Sequence, residues 1–130
     1  MFNISIVGYG YWGKKLARNF QNSSYFDIAS IVDKKKVNLV NAKKNLPSVE
    51  CCSDYKKAIR DDLLDLIVIS TPTSTHYNIA KFALENSKHI LVEKPLSLSL
   101  KQVNKLNKIA KCKKRMIFVD YPFLFSGTIN

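Results

Sequence analysis

Little in this chain could staple it together or anchor it. Three cysteines, Cys51, Cys52 and Cys112, in 130 residues form no disulfide framework, because the number is odd and adjacent residues rarely bridge each other. A reducing compartment, and with it the cytoplasm, is therefore expected. Glycine and proline, four of each, are too sparse for a linker or a disordered tail. No apolar run approaches the roughly 18 residues of a membrane span, and the first glycine arrives at position 8 with no basic leader before it, which argues against a secretory signal. Arginine is scarce too, three residues against eighteen lysines, although the formal charge is +11. Clustered cations would attract a polyanion, but phosphate and base recognition favours the planar guanidinium. The aromatics also sit in apolar runs instead of alternating with arginine. The lysines are read as solvated helix surface, so neither a specific nucleic acid nor a membrane is expected as a partner.

What is present is an alternation. Short apolar runs at Phe2–Val7, Ile28–Val32, Leu66–Ile69, Ile90–Val92 and Met116–Val119, with a weaker one at Val49–Cys52, read as buried parallel strands. Between them, Tyr11–Asn22, Lys34–Asn45, Asp54–Asp61, Ser74–Ser87 and Ser99–Lys113 carry their apolar residues at helical spacing. In the last of these, Val103, Leu106, Ile109 and Ala110 share one face and Lys101, Lys105, Lys108 and Lys111 another. Strand and helix alternating six and five times predict an α/β fold, a single doubly wound parallel sheet of the Rossmann type with right-handed crossovers. If the strand order is 3-2-1-4-5-6, ligands bind at the carboxyl ends of the strands beside the first and fourth. Functional residues should then follow strands. Phe123–Asn130 reads as the start of another element.

Four post-strand segments carry chemistry. Gly8, Gly10 and Gly13 form G-x-G-x-x-G between the first strand and the first helix. The first glycine permits the tight turn, the second lets backbone amides approach a pyrophosphate, and the third lets the helix pack closely, with the helix N-terminus facing the phosphates. Asp33 ends the second strand 20 positions after Gly13, where a carboxylate accepts hydrogen bonds from adenosine ribose hydroxyls and repels a 2′-phosphate. NAD is therefore expected over NADP, with Lys34, Lys35 and Lys36 softening the repulsion. Asp33 could equally cap the next helix, and the two roles can coexist. After the fourth strand, Ser70-Thr71-Pro72-Thr73-Ser74-Thr75-His76 is a hydroxyl-rich turn in which Thr73 or Ser74 caps the following helix. It should border the cofactor. His76 is read first as a first-turn histidine bonding nearby backbone and lining the pocket, ahead of a catalytic role. After the fifth strand, Pro95 holds Lys94 extended and aims its amine at the crevice, although any one of eighteen lysines is by default solvated.

Together, Gly8-Tyr9-Gly10-Tyr11-Trp12-Gly13, Asp33, Thr71-Pro72 with His76, and Glu93-Lys94-Pro95 resemble the Gfo/Idh/MocA family of NAD(P)-dependent oxidoreductases over essentially the whole chain. The E-K-P tripeptide in phase with the glycines is the most specific element. The resemblance implies hydride transfer between a nicotinamide ring and a carbon of a sugar, nucleotide sugar or related polyol. It implies cofactor contacts from Gly8, Gly10, Tyr11, Trp12, Gly13, Asp33, Thr71, Pro72, Thr73, His76, Glu93 and Lys94, with Lys94 also touching substrate as the catalytic residue, and no metal. Gly10–Gly13 and Val119–Phe125 look most like the nucleotide-sugar branch. Family members continue into a second α/β domain that carries substrate contacts, a catalytic histidine and usually the oligomer interface. Residues 1–130 are accordingly read as the NAD-binding domain alone, inactive without that second domain. The competing reading is a free-standing, non-catalytic NAD-binding module.

Overall fold

The computed structural model describes residues 1–120, so the expectations placed on Tyr121–Phe125 and Phe123–Asn130 lie outside the described residues. All six apolar runs pair into one parallel sheet: β1 (Phe2–Val7), β2 (Phe26–Val32), β3 (Glu50–Cys52), β4 (Leu66–Ile69), β5 (His89–Glu93) and β6 (Ile117–Asp120). Their order is β3-β2-β1-β4-β5-β6, the arrangement expected from the alternation, with the reversal between β1 and β4. The helices are α1 (Tyr11–Gln21), α2 (Lys36–Asn45), α3 (Tyr55–Ile59), α4 (His76–Glu85) and α5 (Leu100–Lys113).

Why the central strands read as largely apolar runs is plain from their burial. Both faces of the sheet centre are covered, so β4 is buried at every position. Ile67 and Ile69 join Ile79, Leu84 and Leu106 in the layer under α4 and α5. Leu66 and Val68 join Ile4, Ile6, Ala17 and Ala42 in the layer under α1 and α2. Each fully buried aliphatic side chain contributes about 1.5–3 kcal/mol, so these two layers dominate the fold. The one buried amine, Lys88, donates to the carbonyl oxygens of Asp61 (2.7 Å) and Leu64 (2.9 Å). It ties the turn before β4 to the start of β5, at the end of the sheet away from the glycines.

Several boundaries shift from expectation, and three of the shifts have a plain physical reason. β2 starts two residues early because Phe26 and Asp27 extend the ladder with Phe2 and Asn3. α2 starts later than Lys34 because Asp33 Oδ1 accepts the Lys35 amide at 2.8 Å, which holds a turn ahead of the helix; the N-cap position belongs to Lys35, not Asp33. The turn after β4 winds into a short 3₁₀ segment, Thr73–Thr75, before α4, and no side chain caps either one. Neither Thr73 nor Ser74 is therefore a cap. The Thr75 hydroxyl instead donates to the Pro72 carbonyl oxygen at 2.6 Å and lies 2.7 Å from the Thr71 hydroxyl. Among the described residues no helix is long and apolar enough to cross a membrane.

Candidate cofactor site

The glycine turn does three separate jobs. Gly8 leaves β1 with φ +99°, a left-handed conformation, and a β-carbon there would stand 2.3 Å from the Ser70 carbonyl oxygen. The turns after β1 and β4 are thus packed backbone to backbone. At Gly13 a β-carbon would lie 2.0 Å from the Gly8 carbonyl oxygen, so α1 can sit this close to its own strand only without a side chain. Gly10 is different: a β-carbon there meets no atom within 4 Å, and the residue lines a cleft. Its missing side chain leaves open space beside the N-terminus of α1, where no side chain caps the first-turn amides. An anion is favoured at such an end. This cradle fits the pyrophosphate of a dinucleotide.

The cleft, of about 540 Å³, runs from Gly8 and Gly10 to Asp33, Lys34 and Lys35 on one side and to Thr71 and Pro72 on the other. Asp33 is held rigidly at its edge. Its Oδ2 accepts the Tyr9 amide at 2.8 Å and the Asn38 side-chain amide at 3.0 Å, while Oδ1 accepts the Lys35 amide. A carboxylate has about four acceptor sites, so this one keeps room for a ribose hydroxyl. Tyr9 is buried behind it, with its hydroxyl accepting from the Asn45 amide at 3.3 Å. Asn38, Asn45 and the Tyr9 amide were not among the expected site residues. No motif marks them, because their roles arise only when α2 folds back over the turn after β1.

The remaining expected residues are spread out. Gly13 lies beneath the turn, and Thr73 is half-buried in the 3₁₀ segment. His76 is buried, its Nδ1 2.8 Å from the Pro95 carbonyl oxygen and its Nε2 2.8 Å from that of Thr71. The ring therefore spans the turns after β4 and β5, and it is not among the residues lining the cleft. Tyr11 and Trp12 stand exposed at the start of α1, edge to face at 5.4 Å, with the Lys15 amine 4.4 and 4.9 Å from their ring centres. A hydrogen bond to Lys15 and its charge lower the Tyr11 phenol from its usual range.

Glu93 and Lys94 close β5, outside the cleft. Lys94 is exposed, and a cis peptide joins it to Pro95. Glu93 is half-buried and stands in register with Asp120 on β6. Burial first, then a hydrogen bond to the Asp120 carboxyl and its charge, push Glu93 up to about 7, with Lys94 opposing. Cys51 and Cys52 offer no reactive thiolate here, since burial pushes both up.

Comparison with known proteins agrees with this geometry. The profile described as "Oxidoreductase family, NAD-binding Rossmann fold" matches residues 2–121. The oxidoreductase YdgJ of Escherichia coli (strain K12) is 34% identical over 119 residues, covering 89% of this chain and 33% of that protein. The scyllo-inositol 2-dehydrogenase (NAD(+)) of Bacillus subtilis (strain 168) is 32% identical over 99 residues, 75% of this chain and 29% of that protein. In structure, the biliverdin reductase of Synechocystis sp. PCC 6803 in complex with biliverdin and NADP+ superposes with a TM-score of 0.92 at 27% identity, over 97% of this chain and 40% of that one. The chain spans about a third of the length of the two sequence relatives. With its glycine cradle, cleft-edge aspartate and post-strand E-K-P in a 3-2-1-4-5-6 sheet, the chain belongs to the Gfo/Idh/MocA family of oxidoreductases and is its NAD-binding Rossmann domain.

Proposed function

We propose that this domain serves an enzyme that moves hydride between NAD(H) and a carbon of a sugar, nucleotide sugar or related polyol in the cytoplasm. NAD is preferred over NADP, and Lys94 stands at the reacting centre. The observation that carries the cofactor reading is the triply anchored Asp33 carboxylate, facing Gly10 across one cleft. Three donors hold it fixed with an acceptor site to spare, which suits a ribose hydroxyl and opposes a 2′-phosphate. The cofactor supplies a carbon that takes or gives hydride. The chain's own work is to seat phosphates at the α1 N-terminus through Gly8, Gly10 and Gly13 and to orient the ribose with Asp33. It borders the crevice with Thr71 and Pro72, Thr73 following them in the turn, while His76 ties the turns behind them. Tyr11, Trp12 and Glu93 flank the phosphates and the far nucleoside, and the Lys94 amine takes the hydroxyl proton of substrate. The B. subtilis relative acts on scyllo-inositol by name, which supports the polyol class.

A second reading, a cofactor-binding module without catalysis, is favoured by the exposed position of Lys94 outside the cleft. Hydride transfer needs the reacting carbon about 3–3.5 Å from the ring, held by surrounding groups, and the described residues build no wall on that side of Lys94. The purified chain alone is expected to bind NADH more tightly than NADPH and to turn over no sugar, inositol or nucleotide sugar. Titration of both cofactors by fluorescence, with absorbance assays on a substrate panel, tests this. Equal or tighter NADPH binding would transfer Lys34 and Lys35 to a 2′-phosphate and refute the NAD preference. Sustained turnover that disappears in Lys94→Ala would show that the chain is catalytically sufficient.

A further inference from the structure

Outside the adenosine cleft, the feature that stands apart is the side-by-side placement of Glu93 and Asp120. They are ladder partners at the carboxyl ends of adjacent parallel strands, so their backbones lie about 4.8 Å apart, and both are half-buried. In a chain with 21 basic and 10 acidic residues, neither makes an ion pair among the described residues. Two carboxylates so close and partly desolvated cannot both ionise cheaply. The raised Glu93, at about 7, agrees with this. Among the described residues, the other titratable groups nearby are Lys94, next along the chain, and His76, whose ring meets the carbonyl oxygen of Pro95. The end of β4 adds only Ser70, Thr71 and Pro72.

The position of the pair relative to the cleft gives it a task. A dinucleotide with its ribose at Asp33 and its pyrophosphate at Gly8–Gly13 directs its other nucleoside across the switch point, toward the ends of β4, β5 and β6, because the sheet is two mononucleotide-binding halves side by side. The ring that arrives there is cationic in NAD+ and neutral in NADH. We infer that Glu93 and Asp120 form a proton-sharing pair that reads the charge of the nicotinamide, giving up its proton to solvent when NAD+ binds and keeping it when NADH binds. This rests on the cofactor reading proposed above. Alcohol oxidation by NAD+ yields a carbonyl, NADH and one proton; Lys94, next to Glu93 in the chain, collects that proton and can pass it to the pair, which entered the step doubly ionised, as the ring loses its charge. Below neutrality the pair carries one negative charge and above it two, so preference for NAD+ over NADH rises with pH. One charge at this range in a partly solvated site changes the ratio of the two affinities by roughly tenfold. By linkage, bound NAD+ lowers the upper titration of the pair by the same factor.

The test uses the full chain. Dissociation constants for NAD+ and NADH are measured at pH 6 and pH 8.5 in the unaltered chain and in Asp120→Asn, and the cofactor-free chain is titrated by carboxyl ¹³C NMR. The expected result is a ratio that shifts about tenfold toward NAD+ at the higher pH and is flat in the variant, with one of the two carboxyl groups titrating near neutrality. Normal binding of both cofactors with a pH-independent ratio would overturn the pair's role and leave the cofactor reading standing. Failure of both cofactors to bind would overturn the two together. Should Asp120→Asn not fold, the NMR titration of the unaltered chain decides: both carboxyls titrating below about pH 5 would refute proton sharing.

Discussion

The two halves of the sheet are finished to different degrees. Around β1 and β2, the polar groups of the cleft are answered from within the chain: Asp33 has three donors, Tyr9 is covered and bonded to Asn45, and the Gly8 turn is packed on Ser70. Around the ends of β5 and β6, Glu93 and Asp120 face each other with no ion pair among the described residues, Lys94 is exposed, and Phe118 leaves 45% of its surface open. Preorganised polar groups bind at once, whereas unanswered ones wait for a partner or a substrate. The difference separates holding a cofactor from using it, and each prediction below acts on one half only.

The largest effect should come from the finished half. Gly13→Val forces a β-carbon to within 2.0 Å of the Gly8 carbonyl oxygen, so α1 must leave β1. We expect a loss of about 3 kcal/mol or more in stability by urea unfolding and loss of cofactor binding with it. A loss under about 1 kcal/mol would mean that the two elements are not packed as described.

In the unfinished half the expected change is smaller and depends on pH. Glu93 is raised from 4.5 to about 7 in the folded chain, so the unfolded chain gives up that proton first. Stability therefore falls as pH rises from about 4.5 to about 7 and is level beyond. Because the group is partly solvated, the drop should be only about 1 kcal/mol. Unfolding across that range checks it, and Asp120→Asn should flatten the curve; a curve that rises through the same window would contradict the assignment. Smallest of all, Lys94→Ala should change neither the melting temperature nor the NADH affinity beyond about threefold, since the amine touches no part of the cleft. A tenfold loss of affinity would place Lys94 among the cofactor anchors.

The finished half was also the more legible one. β1 and β4 end where their apolar runs end, because strands buried on both faces are mostly apolar and admit a polar side chain only with a partner, as Ser5 has in Ser30 at 2.7 Å. Gly8 and Gly13 announce a backbone constraint that no other residue satisfies. What supports Asp33 was hidden: Asn38 and Asn45 are ordinary polar residues of α2 until that helix crosses the Tyr9 turn. The Glu93–Asp120 contact depends on the register between β5 and β6, with α5 lying between them in the chain, and no local spacing encodes it. The hydroxyl-rich turn after β4 misled for a related reason. Thr73 and Ser74 have the chemistry of caps, but the Thr75 hydroxyl bonds back to Pro72 and the chain winds into a 3₁₀ segment instead.

The claim that the β1–β2 half is self-sufficient is tested most directly at Gly10, where a side chain would meet no protein atom within 4 Å. NADH titration of the chain and of Gly10→Leu, with melting temperatures for both, is the measurement. The account predicts saturable binding by the unaltered chain, weakened at least about 100-fold in the variant, roughly 2.7 kcal/mol, with an unchanged melting temperature. Equal binding by the two proteins, or no saturable binding by a folded, unaltered chain, would contradict it.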